Sequence, residues 1–363
     1  PGNRVPPTWA KPARAMEPII LGDEDGPIFL HQNMDILADE NGTLTFKEVH
    51  SGQAAQDFVP CRTSNPSFGF TDTVFWLRFV LSNHSATDRW YLEFGYPLLD
   101  DVRVYIPHPN GSISELRSGD MLPWDERSIP HRKPVFLILP GQEQVIYCRI
   151  QTSSSSILTP VLWSDTGFVR TDTNDHFILG LYYGVVMVMA VYNLFLFFTL
   201  RDRPYLYYVL YILAYVLFQG SLNGLTGQYL WPESVNWNNI SVPLFIGLSS
   251  FCCLLFSWSF LHVTHKGLDR IFKLLMALCL LQAGLSYFLP YSLVIRFGSN
   301  LAVVVVLAMF IAGIHSLYCR YRPARYFLLA WGVFLAGQMV SALHKSYALF
   351  PTNFLSLYSG QIG

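Results

Sequence analysis

The chain has 363 residues, of which 52% are hydrophobic and 13% are charged, and its formal net charge at neutral pH is −1. Charged residues make up about 25% of an ordinary soluble domain, so this composition is too apolar for one. A net charge near zero gives no basis for contacts with nucleic acid, which require a basic surface. The composition therefore predicts a membrane protein and excludes a nucleic-acid partner.

The N-terminal half contains no apolar run long enough to span a bilayer. Residues 1–16 contain Pro, Lys and Arg but no apolar core, so we expect a flexible lead-in, with any export leader removed before this numbering begins. Residues 17–165 contain short runs rich in Val, Ile, Phe, Tyr and Trp, separated by turn signals such as Asn41-Gly42 and Asn110-Gly111. This pattern predicts an all-β jelly roll or β-sandwich, followed by a linker over 166–176.

Several of these runs alternate strictly between apolar and polar residues, which assigns each side chain to one face of a strand. The apolar face of the run from Phe75 to Leu81 is the expected core face. The opposite faces of the runs gather aromatic and charged side chains, and an aromatic plane beside a guanidinium or carboxylate suits a sugar or a small polar ligand. The predicted ligand-binding residues are Trp76, Arg78, Tyr91, Glu93, Arg103, Tyr105, Tyr147 and Arg149. A solvated sheet face with cross-strand pairs is the alternative.

Cysteines and acidic residues of the β domain leave further alternatives open. Cys61 and Cys148 are the two cysteines outside the apolar stretches; an oxidising compartment permits a disulfide between them, while Cys148 also fits an inward-facing core position. Four acids offer hard oxygen ligands for calcium, although separated acids are also typical of solvated turns. These acids are Asp100, Asp101, Asp120 and Asp125.

Catalytic motifs are missing from the sequence. It contains no HExxH, no GxSxG and no phosphate-binding glycine loop. We therefore expect no catalytic residue and, apart from calcium, no cofactor in this region.

The second half contains seven apolar stretches. The first covers residues 177–200, which are 24 residues without a charge, against the roughly 20 that a helix needs to cross the hydrocarbon core. Five further candidates follow, and a seventh begins near Asn353 with about ten residues before the chain ends. We expect an all-α bundle over 177–363 whose seventh helix is incomplete and leads into a further part. The five middle candidates are 205–222, 241–261, 271–289, 297–319 and 326–343.

Lys and Arg in the short loops predict the orientation, because these residues resist translocation. Loops after the first, third and fifth stretches hold eight of them, whereas the loops on the opposite side hold only Arg296 and Lys345. This bias predicts that the eight face the cytoplasm, with the N-terminal domain outside and the end of the seventh helix inside. The eight are Arg201, Arg203, Lys266, Arg270, Lys273, Arg320, Arg322 and Arg325.

Polar residues inside the apolar stretches are costly unless they are paired or face a cavity. A set near the predicted outer leaflet is a candidate switch, while hydrogen bonds that only hold the bundle together are the alternative. Gly180 and Gly184 form a small-xxx-small pair that fits either a homodimer contact or packing within the chain. The candidate switch residues are Asn193, Gln219, Asn223, Gln338 and His344.

The order of several short motifs along both halves is similar to that of a known family. Over about residues 20–363 the chain resembles the bacterial seven-transmembrane receptors with diverse intracellular signalling modules (7TMR-DISM), in the group with the type-2 extracellular domain. The motifs are Trp76-Leu77-Arg78-Phe79, Leu92 to Asp100, Gly119-Asp120, Tyr147 to Ile150, Gly180 to Gly184, Tyr192-Asn193-Leu194, Arg201-Asp202 and Gln228 to Pro232.

The resemblance implies a Gram-negative inner-membrane receptor. Its periplasmic jelly roll would be similar to carbohydrate-binding modules, and its seventh helix would lead into a cytosolic histidine kinase, diguanylate cyclase or phosphatase module. We therefore expect a sensory receptor that binds a small-molecule or carbohydrate ligand, with enzymatic output only beyond residue 363. The alternative is a transporter or channel subunit with a periplasmic substrate-binding module, which would favour broken helices and internal repeats.

Overall fold

The computed structural model describes residues 16–333 except for residues 24, 25, 62, 64 and 65. The chain forms two compact units that divide between Asp175 and His176, and residues Gly227–Val235 belong to the first unit. The first unit is rich in strands and the second is helical, so the predicted fold class is confirmed. Most of the predicted lead-in, Gln338, His344 and the predicted seventh helix lie outside the described residues.

Two antiparallel sheets make up most of the first unit. The larger has the order β4-β3-β6-β11-β8-β9, with β1 added in parallel to β6, and the smaller has the order β10-β7-β13-β2. A two-stranded sheet of β12 and β5 completes the described strands. The strands are β1 Ile19–Leu21, β2 Ile28–Phe29, β3 Met34–Asp39, β4 Val59–Pro60, β5 Ser67–Phe70, β6 Val74–Asn83, β7 Trp90–Phe94, β8 Asp101–Pro107, β9 Ile113–Ser118, β10 Val135–Ile138, β11 Gln144–Gln151, β12 Ser155–Ile157 and β13 Pro160–Ser164.

The larger and smaller sheets share one hydrophobic core, which makes the unit a β-sandwich. Leu77 and Phe79 of β6 lie in the same buried cluster as Leu92 and Phe94 of β7. These are the residues that alternation assigned to the inner faces, because side chains change sides at each residue of a strand. Cys148 lies in this core as a free thiol, and its burial raises the pKa of the thiol.

Helices dominate the described residues from Asp165 onward. Four of them are long and apolar enough, by length and composition, to cross a membrane: α2, α3, α5 and α7. Residues 324–333 are also helical, up to the end of the described range. The helices are α1 Phe46–Ser51, α2 Asp165–Leu200, α3 Arg203–Leu222, α4 Leu225–Tyr229, α5 Val235–Phe260, α6 Lys266–Leu285 and α7 Tyr291–Tyr318.

Each of the first five predicted stretches overlaps an observed helix, and two of these helices differ from the prediction in character or extent. Helix α6 occupies the fourth predicted stretch, but it is not among the four candidate spans, because charged residues such as Lys266 and Arg270 lie in its first turns. Helix α2 begins twelve residues before the predicted first stretch, at Asp165. The segment 166–176, which we predicted to be a linker, is therefore helical, and as far as Asp175 it belongs to the first unit.

Three long helices end in a residue with left-handed backbone geometry. Arg201, His262 and Arg320 follow the ends of α2, α5 and α7 and have φ values of 56°, 48° and 62°. Glycine usually occupies this position because it has no Cβ to clash with the neighbouring carbonyl. A basic side chain compensates in part, since it interacts favourably with the carbonyl end of the helix dipole.

Candidate functional site

Six of the eight predicted ligand residues share the outer face of the larger sheet. Strand register sets them in two rows across β6, β11 and β8. Tyr147 lies opposite Arg78 on one side and Tyr105 on the other, and Arg149 lies opposite Trp76 and Arg103. The alternation therefore identified this part of the face correctly.

A short segment after β3 covers the aromatic half of the outer face. Helix α1 and the 3-10 turn Gln53–Gln56 form a second hydrophobic cluster with Trp76, Tyr105 and Tyr147, and all three of these residues are buried. The ring of Phe46 stacks on Tyr105 with a centroid separation of 4.7 Å. The predicted open aromatic platform is thus filled by the chain itself.

Arg78 fixes this cover to the sheet. Its Nη2 donates to Asp35 Oδ2 at 2.8 Å, and its Nη1 donates to the carbonyl oxygen of Ala55 at 3.3 Å. The guanidinium carbon also lies 4.3 Å from the centre of the Phe58 ring. These three contacts assign Arg78 a structural role in the present arrangement.

The remaining part of the outer face is a cluster of guanidinium groups around one carboxylate. Asp101 accepts from Arg103 Nε at 2.8 Å and from Arg149 Nη1 at 3.4 Å, and it lies 3.7 Å from Arg117 Nη2. Arg103 is also 3.7 Å from Glu115. Arg103 and Arg117 stay partly exposed, so this arginine cluster is the part of the predicted site that solvent reaches.

Tyr91 and Glu93 do not join that face, so their predicted placement was wrong. Both lie on β7, which belongs to the smaller sheet. The ring of Tyr91 stacks on Phe168 of α2 with centroids 4.6 Å apart, and Glu93 Oε1 accepts from Lys133 Nζ at 2.6 Å. Alternation predicts the face of a strand, but it does not predict which sheet the strand joins.

A basic run before β10 binds the start of α2 through partly buried ion pairs. Arg132 Nη2 donates to Asp175 Oδ2 at 2.6 Å, and Lys133 Nζ reaches the same oxygen at 3.1 Å. His131 Nε2 lies 2.9 Å from Asp172 Oδ1. The Arg132 side chain is 5% exposed and that of Asp175 is 17% exposed. We call these ion pairs, together with the pair of Lys133 with Glu93 and the stack of Tyr91 on Phe168, the α2 junction.

Lys133 stays charged in the junction. Burial works against the ammonium group, but the Glu93 and Asp175 carboxylates outweigh it and raise the pKa of Lys133 above its usual value. The residues predicted from the sequence did not include this run. Its signal was the sequence His131-Arg132-Lys133 together with Phe168, Asp172 and Asp175, whose spacing places them on one face of a helix.

The four candidate calcium ligands do not form one group. Asp101 points to the arginine cluster, and Asp125 is an exposed residue of the 3-10 turn Trp124–Glu126. Asp100 accepts from Thr152 Oγ1 and from the backbone and side chain of Ser153 at 2.7 to 3.0 Å. Among the described residues, no three His, Cys, Asp or Glu side chains are grouped for a metal ion.

Asp120 is a buried carboxyl group beside the segment of Asp100. Its backbone N–H donates to the carbonyl oxygen of Leu99 at 2.8 Å, and its Oδ1 has no hydrogen-bond partner among the described residues. Burial, and next the charge of Asp100, raise the pKa of Asp120 well above its usual value, while Arg127 opposes the shift. The group therefore favours its neutral form.

The candidate switch residues in the helical unit have different surroundings. Asn193 Nδ2 donates to the carbonyl oxygen of Met189 in its own helix at 2.8 Å, so this hydrogen bond runs along α2 and does not join two helices. Asn223 Nδ2 donates to Tyr183 Oη at 3.0 Å and links the end of α3 to α2. Gln219 is half-buried near the end of α3.

Gln282 is the fully buried amide of the helical unit and joins three helices. Its Nε2, on α6, donates to the carbonyl oxygen of Pro243 inside α5 at 2.8 Å. Gly247 of α5 and Gly298 of α7 flank the amide, and a Cβ added at either glycine would collide with it. Gln282 Oε1 has no partner among the described residues. A single amide in an otherwise apolar stretch was the signal for this contact in the sequence.

These features define a class of protein: a multi-pass membrane protein with a separate β-sandwich domain before its spans. Residues 31–164 match the family model described as 7TMR-DISM extracellular 2, and residues 175–363 match the model described as 7TM diverse intracellular signalling. Because the second match covers more than half of the chain, the protein belongs to the 7TM diverse intracellular signalling family. No curated protein matches the chain.

Proposed function

We propose that this chain is the sensing and membrane part of a bacterial inner-membrane receptor, with the β-sandwich in the periplasm and a cytosolic kinase or cyclase module after residue 363. The observation that carries the proposal is helix α2, which begins against the β-sandwich at Asp165 and continues without a break to Leu200. A membrane receptor needs such a physical connection between its sensor and its spans. The family membership supports the same function.

The charge pattern supports the proposed orientation. Arg201, which ends α2, and Arg320, which ends α7, lie in loops rich in basic residues, and such loops stay in the cytoplasm. Residues Gly227–Val235, from a loop predicted on the opposite side, belong to the same unit as the β-sandwich. Both observations agree with a β-sandwich on the periplasmic side.

The arginine cluster is the proposed place for a small-molecule or carbohydrate ligand. Guanidinium groups offer several N–H donors in a fixed plane, which suits carboxylate or hydroxyl oxygens. Arg103 and Arg149 already lie side by side across β8 and β11, and solvent reaches Arg103. A ligand there would compete with Asp101 for these donors.

The gene sequence beyond codon 363 tests the receptor function most directly. We expect an in-frame kinase or cyclase domain after a completed seventh helix, and a change in its product when the sensor is altered. A native stop codon soon after that helix would count against the receptor and favour transport. The sensor is altered by replacing Arg103 and Arg149 with Ala, and the product of the output domain is compared with that of wild type. As a control, exposed Lys47 on α1 is replaced with Ala.

A further inference from the structure

We propose that the α2 junction is a releasable clamp by which the β-sandwich controls the position of the signal-carrying helix. The inference rests on the proposed receptor function and names the residues that regulate it. Arg132, Lys133 and His131 are the positioning residues on the sandwich side, and Asp172 and Asp175 are their partners on α2.

The junction residues of α2 form one stripe along the helix. Phe168, Asp172 and Asp175 are separated by four and three residues, so their side chains project from the same face. All of them meet the smaller sheet or the basic run beside it: Phe168 stacks on Tyr91, and Asp175 binds Arg132 and Lys133. One aromatic contact at the first turn and ion pairs two turns later therefore fix both the tilt and the rotation of this helix start.

Ion pairs make this attachment suitable for release. A buried ion pair contributes little net stability compared with apolar packing of the same volume, because each charge loses its hydration, but it strongly specifies one geometry. Lys133 divides its ammonium between Glu93 of the sheet and Asp175 of the helix. If Asp175 moved away, Lys133 would keep Glu93 as a partner, which lowers the cost of opening the clamp on the sandwich side.

A second set of contacts links the clamp to the interior of the β-sandwich. Arg127 Nη1 donates to the carbonyl oxygen of His131 at 3.1 Å, and its Nε donates to that of Leu122 at 3.2 Å. The Arg127 charge also acts on buried Asp120. A change in the charge of Asp120 therefore acts electrostatically on Arg127, whose side chain donates to the backbone that carries the clamp.

Charge reversal with rescue tests the clamp in the intact chain. We expect Arg132→Glu and Asp175→Arg, each alone, to increase hydrogen exchange in residues 165–175 at least about tenfold, since each replaces an attractive pair with two like charges at close range. The double variant restores a pair and should return exchange toward wild type. Lys47→Glu, a reversal at an exposed lysine of the same domain, is the matched control and should leave this segment unchanged.

The same variants in the full-length receptor separate the clamp from a purely structural contact. We expect both single variants to shift basal output several-fold and the double variant to restore it. If a single variant prevents folding, the isosteric Asp175→Asn replaces it. Unchanged exchange in 165–175, or altered exchange with wild-type output from a responsive receptor, would overturn the clamp. A receptor without any output would overturn the proposed function, while the exchange data would still report on the clamp.

Discussion

Gln282 donates a hydrogen bond to the carbonyl oxygen of Pro243, 2.8 Å away, and so joins α6 to α5 beside a proline that lies inside the helix. Pro243 has no N–H, which weakens the helix ladder at this point. The glycines at 247 and 298 leave the space in which the amide fits. The contact joins α5 and α6 at a point where α7 passes beside the same amide.

The first prediction concerns this amide. Gly298→Ala should destabilise the helical unit by about 1–3 kcal/mol, because the added methyl group forces the amide out of its place. Thermal exposure of the buried thiols Cys253 and Cys279, followed with a thiol-reactive dye in detergent, measures the effect. Gly284→Ala is the matched control, since a Cβ there meets nothing within 4 Å. Equal midpoint temperatures of thiol exposure for the Gly298→Ala and Gly284→Ala variants would contradict the contact.

The second prediction is that Trp76 serves the fold. Trp76 is fully buried under α1, so Trp76→Ala should cost about 3–5 kcal/mol through the cavity that it leaves. Arg117→Ala, at an exposed position of the same sheet, should change stability by less than about 1 kcal/mol. Hydrogen exchange of β6 and β11 in the purified chain compares them. A Trp76→Ala chain with wild-type exchange would restore the interpretation of this residue as part of an open ligand platform.

The third prediction is a pH dependence that arises from Asp120. Its pKa is raised in the folded state by burial and by Asp100, so the folded state holds the proton more tightly than the unfolded state. The contribution of Asp120 to the stability of the β-sandwich should therefore be fully present below the ordinary carboxyl pKa and should be lost as pH rises through the folded-state pKa.

Asp120→Asn removes this titration. It should raise the melting temperature of the β-sandwich near neutral pH and flatten the decrease with rising pH. The measurement is a melting curve of the intact chain at each of a series of pH values. Hydrogen exchange of peptides from the β-sandwich monitors the melting. Asp125→Asn, at an exposed position, is the control. A steeper decrease in the Asp120→Asn chain would rule out the neutral carboxyl.

The fourth prediction uses a native cysteine to test the orientation. Cys319 is exposed and precedes Arg320 at the end of α7, so an impermeant maleimide should label it only after the inner membrane is opened. A cysteine in place of Ser234, in the loop on the opposite side, should be labelled in cells whose outer membrane alone is permeable. Labelling of Cys319 from the periplasm would reverse the proposed topology.

The sequence predicted local features of single strands better than contacts between segments far apart in the chain. Alternation identified the core faces of β6 and β11, because each depends only on the geometry of a single strand. The partners of Tyr91 and the cover over Trp76 depend on segments far away in the chain. Periodicity within one strand contains no information about such contacts.

The start of α2 was missed for a different reason. A search for apolar length finds only the part that enters the membrane, whereas the turns from Asp165 to Asp175 are polar. Their helical character is visible in the spacing of Phe168, Asp172 and Asp175. Buried ion pairs are hard to infer from sequence, since the same residues are more often found in solvent.

Because α2 is unbroken, the number of residues between the junction and the rest of the helix sets the angle between them about the helix axis. The helix has 36 residues, which corresponds to about 54 Å, and each residue turns it by about 100°. One residue inserted after Asp175 would rotate the stripe of Phe168 and Asp175 by about 100° relative to the rest of α2, whereas seven residues would restore its direction to within about 20°. If α2 carries the signal as we propose, receptor output should vary periodically with insert length, because each inserted residue changes an angle as well as a distance.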